Sequence, residues 1–203
     1  MAGDTFDLRI AEFLAARLCH DLVSPIGAIA NGLEILEDEP ELAGDAGALI
    51  GLSARQAARR LQFFRVAFGS TAALPDDVAR RAAIEFFADG KVALDWRVAA
   101  VPAGWQKLAC NLLLVASEAL PRGGRIALEA AAPGGLAATA EGDNVRLADP
   151  IPSLLANRAE PDALSPRTVQ AIFTAALADR ANAIVEVRYL NAGKLALVVK
   201  VKS

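Results

Sequence analysis

His20 is the only histidine among 203 residues, so it is the one side chain whose ordinary pKa lies near neutrality and the one obvious neutral nitrogen nucleophile. It sits in Cys-His-Asp-Leu-Val-Ser-Pro-Ile-Gly-Ala-Ile over residues 19–29. On a helix, His20, Ser24, Gly27 and Asn31 follow one another at steps of 4, 3 and 4 and share one face. That face is small and polar, about half a turn from the row of leucines on the same segment. The imidazole is therefore expected to project into solvent beside low side chains, with room for a partner surface to approach. Arg17 lies three residues earlier on the same side. Asp21 is placed to orient the ring or assist removal of its proton, or else it is an ordinary solvated helix charge.

The segment that must position this face reads as one long helix over 6–38. Leu14, Leu18, Leu22, Ile26, Ile29, Leu33 and Leu36 recur at helical spacing along one side. Asp4 or Thr5 can cap its start, and Pro40 stands just past its end. Pro25 falls inside it, removes one backbone donor and frees the carbonyl of Asp21, so that turn is expected to kink or loosen. A second helix is expected from Leu42 or Ala43 to Phe68, with a seam of Ile50, Ala54, Ala57, Leu61, Phe64 and Phe68. The short acidic turn between them makes an antiparallel hairpin.

Two helices with broad apolar stripes need another partner. Dimerisation into a four-helix bundle is the natural solution, and packing on the C-terminal half of the same chain is the alternative. Counting back from the turn puts His20 level with about Gln62, near Arg59, Arg60 and Arg65. Any of these faces an incoming phosphoryl group or acidic partner, or is a solvated helix charge; the choice depends on helix phase.

The rest of the chain reads differently. Gly69-Ser-Thr-Ala-Ala-Leu-Pro-Asp is the expected linker, dividing the chain into 1–70 and 71–203. Helices are expected over Asp77–Phe87, Trp105–Leu120 and Pro166–Ala181. Strands are expected over Val92–Val98, Arg125–Ala130, Leu136–Thr139 and Asn144–Leu147, closing with a hairpin of Ile184–Leu190 and Leu195–Val201 around Asn191-Ala-Gly. Gly123-Gly124 and Gly134-Gly135 read as hairpin turns. Together these give an α+β fold class: a helical hairpin followed by a two-layer α/β sandwich.

Composition narrows the function classes. Hydrophobic residues make up 54% of the chain, enough for a packed core, and alanine-rich content favours close packing over a thick aromatic centre. The net charge of −3 gives no electrostatic case for nucleic acid or an anionic membrane. Cys19 and Cys110 are far apart and form no Cys-x-x-Cys, as suits a reducing cytosol. No basic leader and no charge-free run of membrane-spanning length is read, so a soluble cytoplasmic protein is expected.

His-Asp-Leu-Val-Ser-Pro-Ile-Gly-Ala-Ile resembles the H-box of sensor histidine kinases: histidine, acidic residue, leucine, two residues, proline, an apolar residue and a continuing helix. More narrowly, residues 6–203 resemble the ChpT-type histidine phosphotransferases of alphaproteobacterial phosphorelays, a dimerising hairpin followed by a kinase-like domain that has lost its nucleotide site. Asn111-Leu-Leu-Leu-Val-Ala-Ser-Glu resembles the helix of a kinase N-box, but Val115 stands where the metal-binding asparagine belongs. No Asp-x-Gly-x-Gly follows, and no Gly-x-Gly-Leu-Gly precedes 166–181. Without such glycine-rich backbone a nucleotide phosphate has no cradle.

The resemblance implies that His20 takes a phosphoryl group at Nε2 from an aspartyl phosphate on the receiver domain of a hybrid histidine kinase. It then passes the group to downstream response regulators, in a cell-cycle relay. No ATP, cofactor or metal of its own is implied; magnesium comes on the partner receiver. Arg17, Ser24, Gly27, Asn31, Arg59 and Gln62 are the expected partner-binding residues. The competing readings are an ATP-dependent histidine kinase with a divergent nucleotide site and a non-catalytic dimeric adaptor that binds receivers.

Overall fold

The computed structural model describes residues 2–69, 75–132, 134–156 and 161–202. Helix α1 (Ala2–Asp38) and helix α2 (Ala43–Phe68) form an antiparallel hairpin, joined by a single 3-10 turn at Pro40–Leu42. Because α1 already runs from Ala2, Asp4 and Thr5 lie within the helix rather than at its start. Pro25 does not break it either: α1 is one helix through the proline. The two helices close to backbone distance at Gly32, where an added Cβ would stand 2.7 Å from Ile50 Cγ1. A glycine is needed there for contact, not for conformation.

Helix α3 (Asp76–Phe87) leads into strand β1 (Val92–Trp96); helix α4 (Gln106–Glu118) crosses to β2 (Gly124–Ala131), and β3 (Gly135–Glu141) turns back. The short helix α5 (Ile151–Ala156) and helix α6 (Val169–Arg180) precede the closing hairpin β4 (Ala183–Asn191) and β5 (Lys194–Val201). The sheet order is β1-β2-β3-β5-β4. Only the β1–β2 pairing is parallel, and α4 is the crossover that a parallel pair requires. Helices α4 and α6 cover one face of the sheet. The mixed α+β class read from the sequence therefore holds.

Gly123 and Gly124 lead from α4 into β2 and form no hairpin turn, and three other expectations for this part of the chain change. Residues 144–147 form no strand: Asn144 adopts a left-handed φ of 56°, and Val145 and Leu147 bury themselves from an irregular loop. Helix α5 was not expected; six residues are too few to show a period. Helix α6 begins at Val169 rather than Pro166, since Ser165 and Thr168 are tied in a side-chain turn ahead of it. Of the expected linker, residues 70–74 lie outside the described residues.

The apolar rows of the hairpin divide into two stretches. Near the open end, Leu14, Phe63, Phe64, Val66 and Ala67 are buried in the same core as Leu112, Val115 and Val169 of α4 and α6, with Leu18 and Leu22 packed against it. Aromatic rings weld this junction. Phe63 stacks on Phe86 with centroids 4.2 Å apart, Phe68 meets Phe173 at 5.7 Å, and Phe87 meets Phe63 edge-on. Each fully buried phenylalanine contributes about 2–3 kcal/mol. Toward the tip, Leu33, Leu36, Leu49 and Leu52 are exposed, and Ile26 and Leu61 are exposed nearer the level of His20. The hairpin thus packs on its own chain at its base and leaves apolar side chains open along the rest of its length.

Candidate phosphoacceptor site

His20 lies on the exposed side of α1 with 89% of its side chain accessible. Its Nδ1 stands 3.3 Å from Oδ1 of Asp21, which is half-buried. In the tautomer in which Nδ1 carries the hydrogen, that nitrogen donates to the carboxylate and Nε2 presents its lone pair to solvent. The neighbouring surface is low. Ser24 and Asn31 are exposed, and nothing lies within 4 Å of where a Cβ would stand on Gly27. A bulky partner can therefore reach the ring without displacing a side chain.

Beside Asp21, where α1, α2, α3, β1 and α4 meet, lies a cleft of about 330 Å³ whose lining includes Arg17, Asp21, Gln56, Arg59, Arg60 and Lys91. The arginines differ in what they touch. Arg17 pairs with Glu118 at the end of α4 at 2.8 Å, and Arg59 pairs with Asp89, just past α3. Both were expected to face a partner; within the chain, both also make ion pairs. Arg60 donates to the backbone carbonyl of Asp21, the carbonyl left without a helical partner by Pro25. The carbonyl freed at that turn is thereby taken up by a donor on α2. Gln62 is exposed on α2 and does not line the cleft; the Asp21–Arg60 contact puts Arg60, not Gln62, at the level of the site.

Burial pushes the Glu118 carboxyl above its ordinary 4.5, with the adjacent Arg17 acting in the opposite direction. Glu118 was not among the sequence candidates. Its only sequence signal was an acidic residue at a helix C-terminus, where the helix dipole disfavours it and a cation must compensate.

The helix that resembles a kinase N-box has a structural task. Asn111 is fully buried, and its Nδ2 donates to the carbonyls of Ala67 (2.7 Å) and Lys107 (2.8 Å). Its Oδ1 accepts from Gln170 Nε2 at 2.7 Å. Val115 is fully buried as well. Neither side chain is presented to a nucleotide or its metal; Asn111 instead clips the end of α2 to α4 and α6.

The exposed histidine sits on a helical hairpin rooted in an α/β sandwich, and the class of protein follows from its relatives. Residues 76–190 match the model of the histidine phosphotransferase C-terminal domain. Protein phosphotransferase ChpT of Brucella abortus (strain 2308) is 43% identical over 127 residues, which are 60% of this chain and 60% of that protein. A solved bacterial phosphotransferase superposes with a TM-score of 0.82 at 33% identity, over 95% of this chain and 96% of that one. The chain belongs to the ChpT-type histidine phosphotransferase family. A histidine kinase domain from Erythrobacter litoralis aligns more loosely, at a TM-score of 0.42 and 14% identity over 91% of this chain and 94% of that one.

Proposed function

We propose that this protein relays a phosphoryl group between receiver-domain aspartates through a phosphohistidine at His20. The observation that carries the reading is the exposed ring whose Nδ1 is held by Asp21 while Nε2 stays open. Nε2 attacks the phosphorus of a receiver acyl phosphate, the P–O bond to the receiver carboxylate breaks, and that carboxylate leaves with the electron pair. The ring then carries a positive charge, relieved when the Nδ1 proton passes toward Asp21 or solvent. In the return step an acceptor aspartate attacks the same phosphorus, the P–N bond breaks, and the imidazole regains its proton. Magnesium bound by the receiver neutralises phosphoryl charge during both steps.

The buried Asn111 and Val115 support a relay over an ATP-using kinase, because the residues at the N-box position hold the core together. The exposed apolar side chains of the hairpin, Leu33, Leu36, Leu49 and Leu52 among them, support a homodimer in which two hairpins make a four-helix bundle. The segment Asp7–Asp38 is long and apolar enough by composition to cross a membrane, with a mean hydropathy of 1.3. We read that apolar content as bundle interface and place the protein in the cytoplasm with its receivers, as part of a cell-cycle relay.

The test is incubation with a ³²P-labelled receiver. Wild type should acquire an acid-labile, base-stable label and pass it to a second receiver; His20→Ala should acquire none. Labelled ATP alone should give no label, and rapid labelling from ATP would establish the kinase instead. Equal loss of receiver phosphate with wild type and His20→Ala, with no label on either, would leave an adaptor or a phosphatase.

A further inference from the structure

In an α-helix the carbonyl of residue 21 accepts from the N–H of residue 25. Pro25 has no N–H, and its ring presses against that same carbonyl. A gap of this kind ordinarily bends the helix, and here it opens one residue after the nucleophile. Yet α1 continues to Asp38, and Arg60 reaches across from α2 to donate to the Asp21 carbonyl. Its neighbours Arg17 and Arg59 serve carboxylates; Arg60 serves the main chain. The residue it holds also carries the carboxylate that touches His20 Nδ1.

We infer that Arg60 is a positioning residue for His20, supplying from the second helix the hydrogen bond that Pro25 denies the first. The inference rests on the phosphotransfer reading above. Arg60 fixes the backbone of Asp21, Asp21 fixes Nδ1, and Nε2 is left aimed outward. In-line transfer depends on that aim, so loss of Arg60 acts on the transfer step and not on partner affinity.

The test is a cycle of Arg60→Met, Pro25→Ala and the double variant, with Arg60→Lys as the conservative change. Each is assayed for transfer from a phosphorylated receiver. Arg60→Met should lower the maximal transfer rate by about tenfold or more while KM for the receiver stays within about twofold of wild type, and Arg60→Lys should recover part of the rate. The decisive result is rescue: once Pro25 is replaced by alanine the helix regains its own donor, so Arg60→Met/Pro25→Ala should match Pro25→Ala alone. If Arg60→Met does not fold, that last comparison carries the test, because its helix is unbroken.

An unchanged rate in Arg60→Met, a rise in KM alone, or a double variant as slow as Arg60→Met would each overturn the inference. Amide exchange across residues 21–25 provides a readout independent of activity. It should quicken in Arg60→Met and return in the double variant, even if wild type proved unable to take label and the phosphotransfer reading failed.

Discussion

At the scale of the residue, His20 combines high exposure with a carboxylate, that of Asp21, 3.3 Å from its Nδ1. Asp21→Asn keeps the shape and removes the carboxylate proposed to receive the Nδ1 proton; transfer should slow by about 10–100-fold with little change in the urea midpoint. Glu118 makes a different prediction. Its pKa is raised in the folded protein, so the folded state binds the proton more tightly than the unfolded chain. The stability this provides is complete below pH 4.5 and is lost as pH rises through the folded value. Wild type should therefore lose stability relative to Glu118→Gln as pH climbs above 4.5, read as diverging denaturant midpoints; converging midpoints would contradict the assignment. The histidine was legible from its neighbours at 21, 24, 25 and 27. The partners of Arg17 and Arg59 were not, because Glu118 and Asp89 lie far along the chain and only tertiary packing brings them to the hairpin.

At the scale of the element, periodicity located both long helices and the strands of the sheet, since each has one buried face and repeats its pattern long enough to show it. Helix α5 and the loop at 144–147 escaped because their burial follows from fit against neighbours, not from any period. The leucine row was visible, but its division was not. A row of like residues does not say where the sandwich stops and solvent begins, and the junction is marked instead by phenylalanines that composition alone made look sparse. The division gives distinct expectations for charged variants at its two ends. For the proposed dimer, Leu33→Glu and Leu36→Glu, exposed in the single chain, should yield folded monomers by light scattering and circular dichroism. Leu14→Glu, buried at 8% exposure, should unfold the base by burying an unpaired charge. The Asn111 clip is likewise an element-scale device: Asn111→Leu strands the Ala67 carbonyl and the Gln170 amide, and should cost about 3 kcal/mol in a urea titration.

At the scale of the whole molecule, the sequence divides at residue 70, yet hairpin base and sandwich share one hydrophobic cluster. Calorimetry should therefore show a single cooperative transition, with van't Hoff and calorimetric enthalpies agreeing. Two separated transitions would show that the halves fold independently. The shared core also bears on timing. A histidine served by a mobile domain must wait for that domain to swing in and out, whereas here the phenylalanine junction packs the hairpin base onto the sandwich. In the proposed relay the protein is a standing platform, and its throughput is governed by how fast one receiver departs and the next arrives.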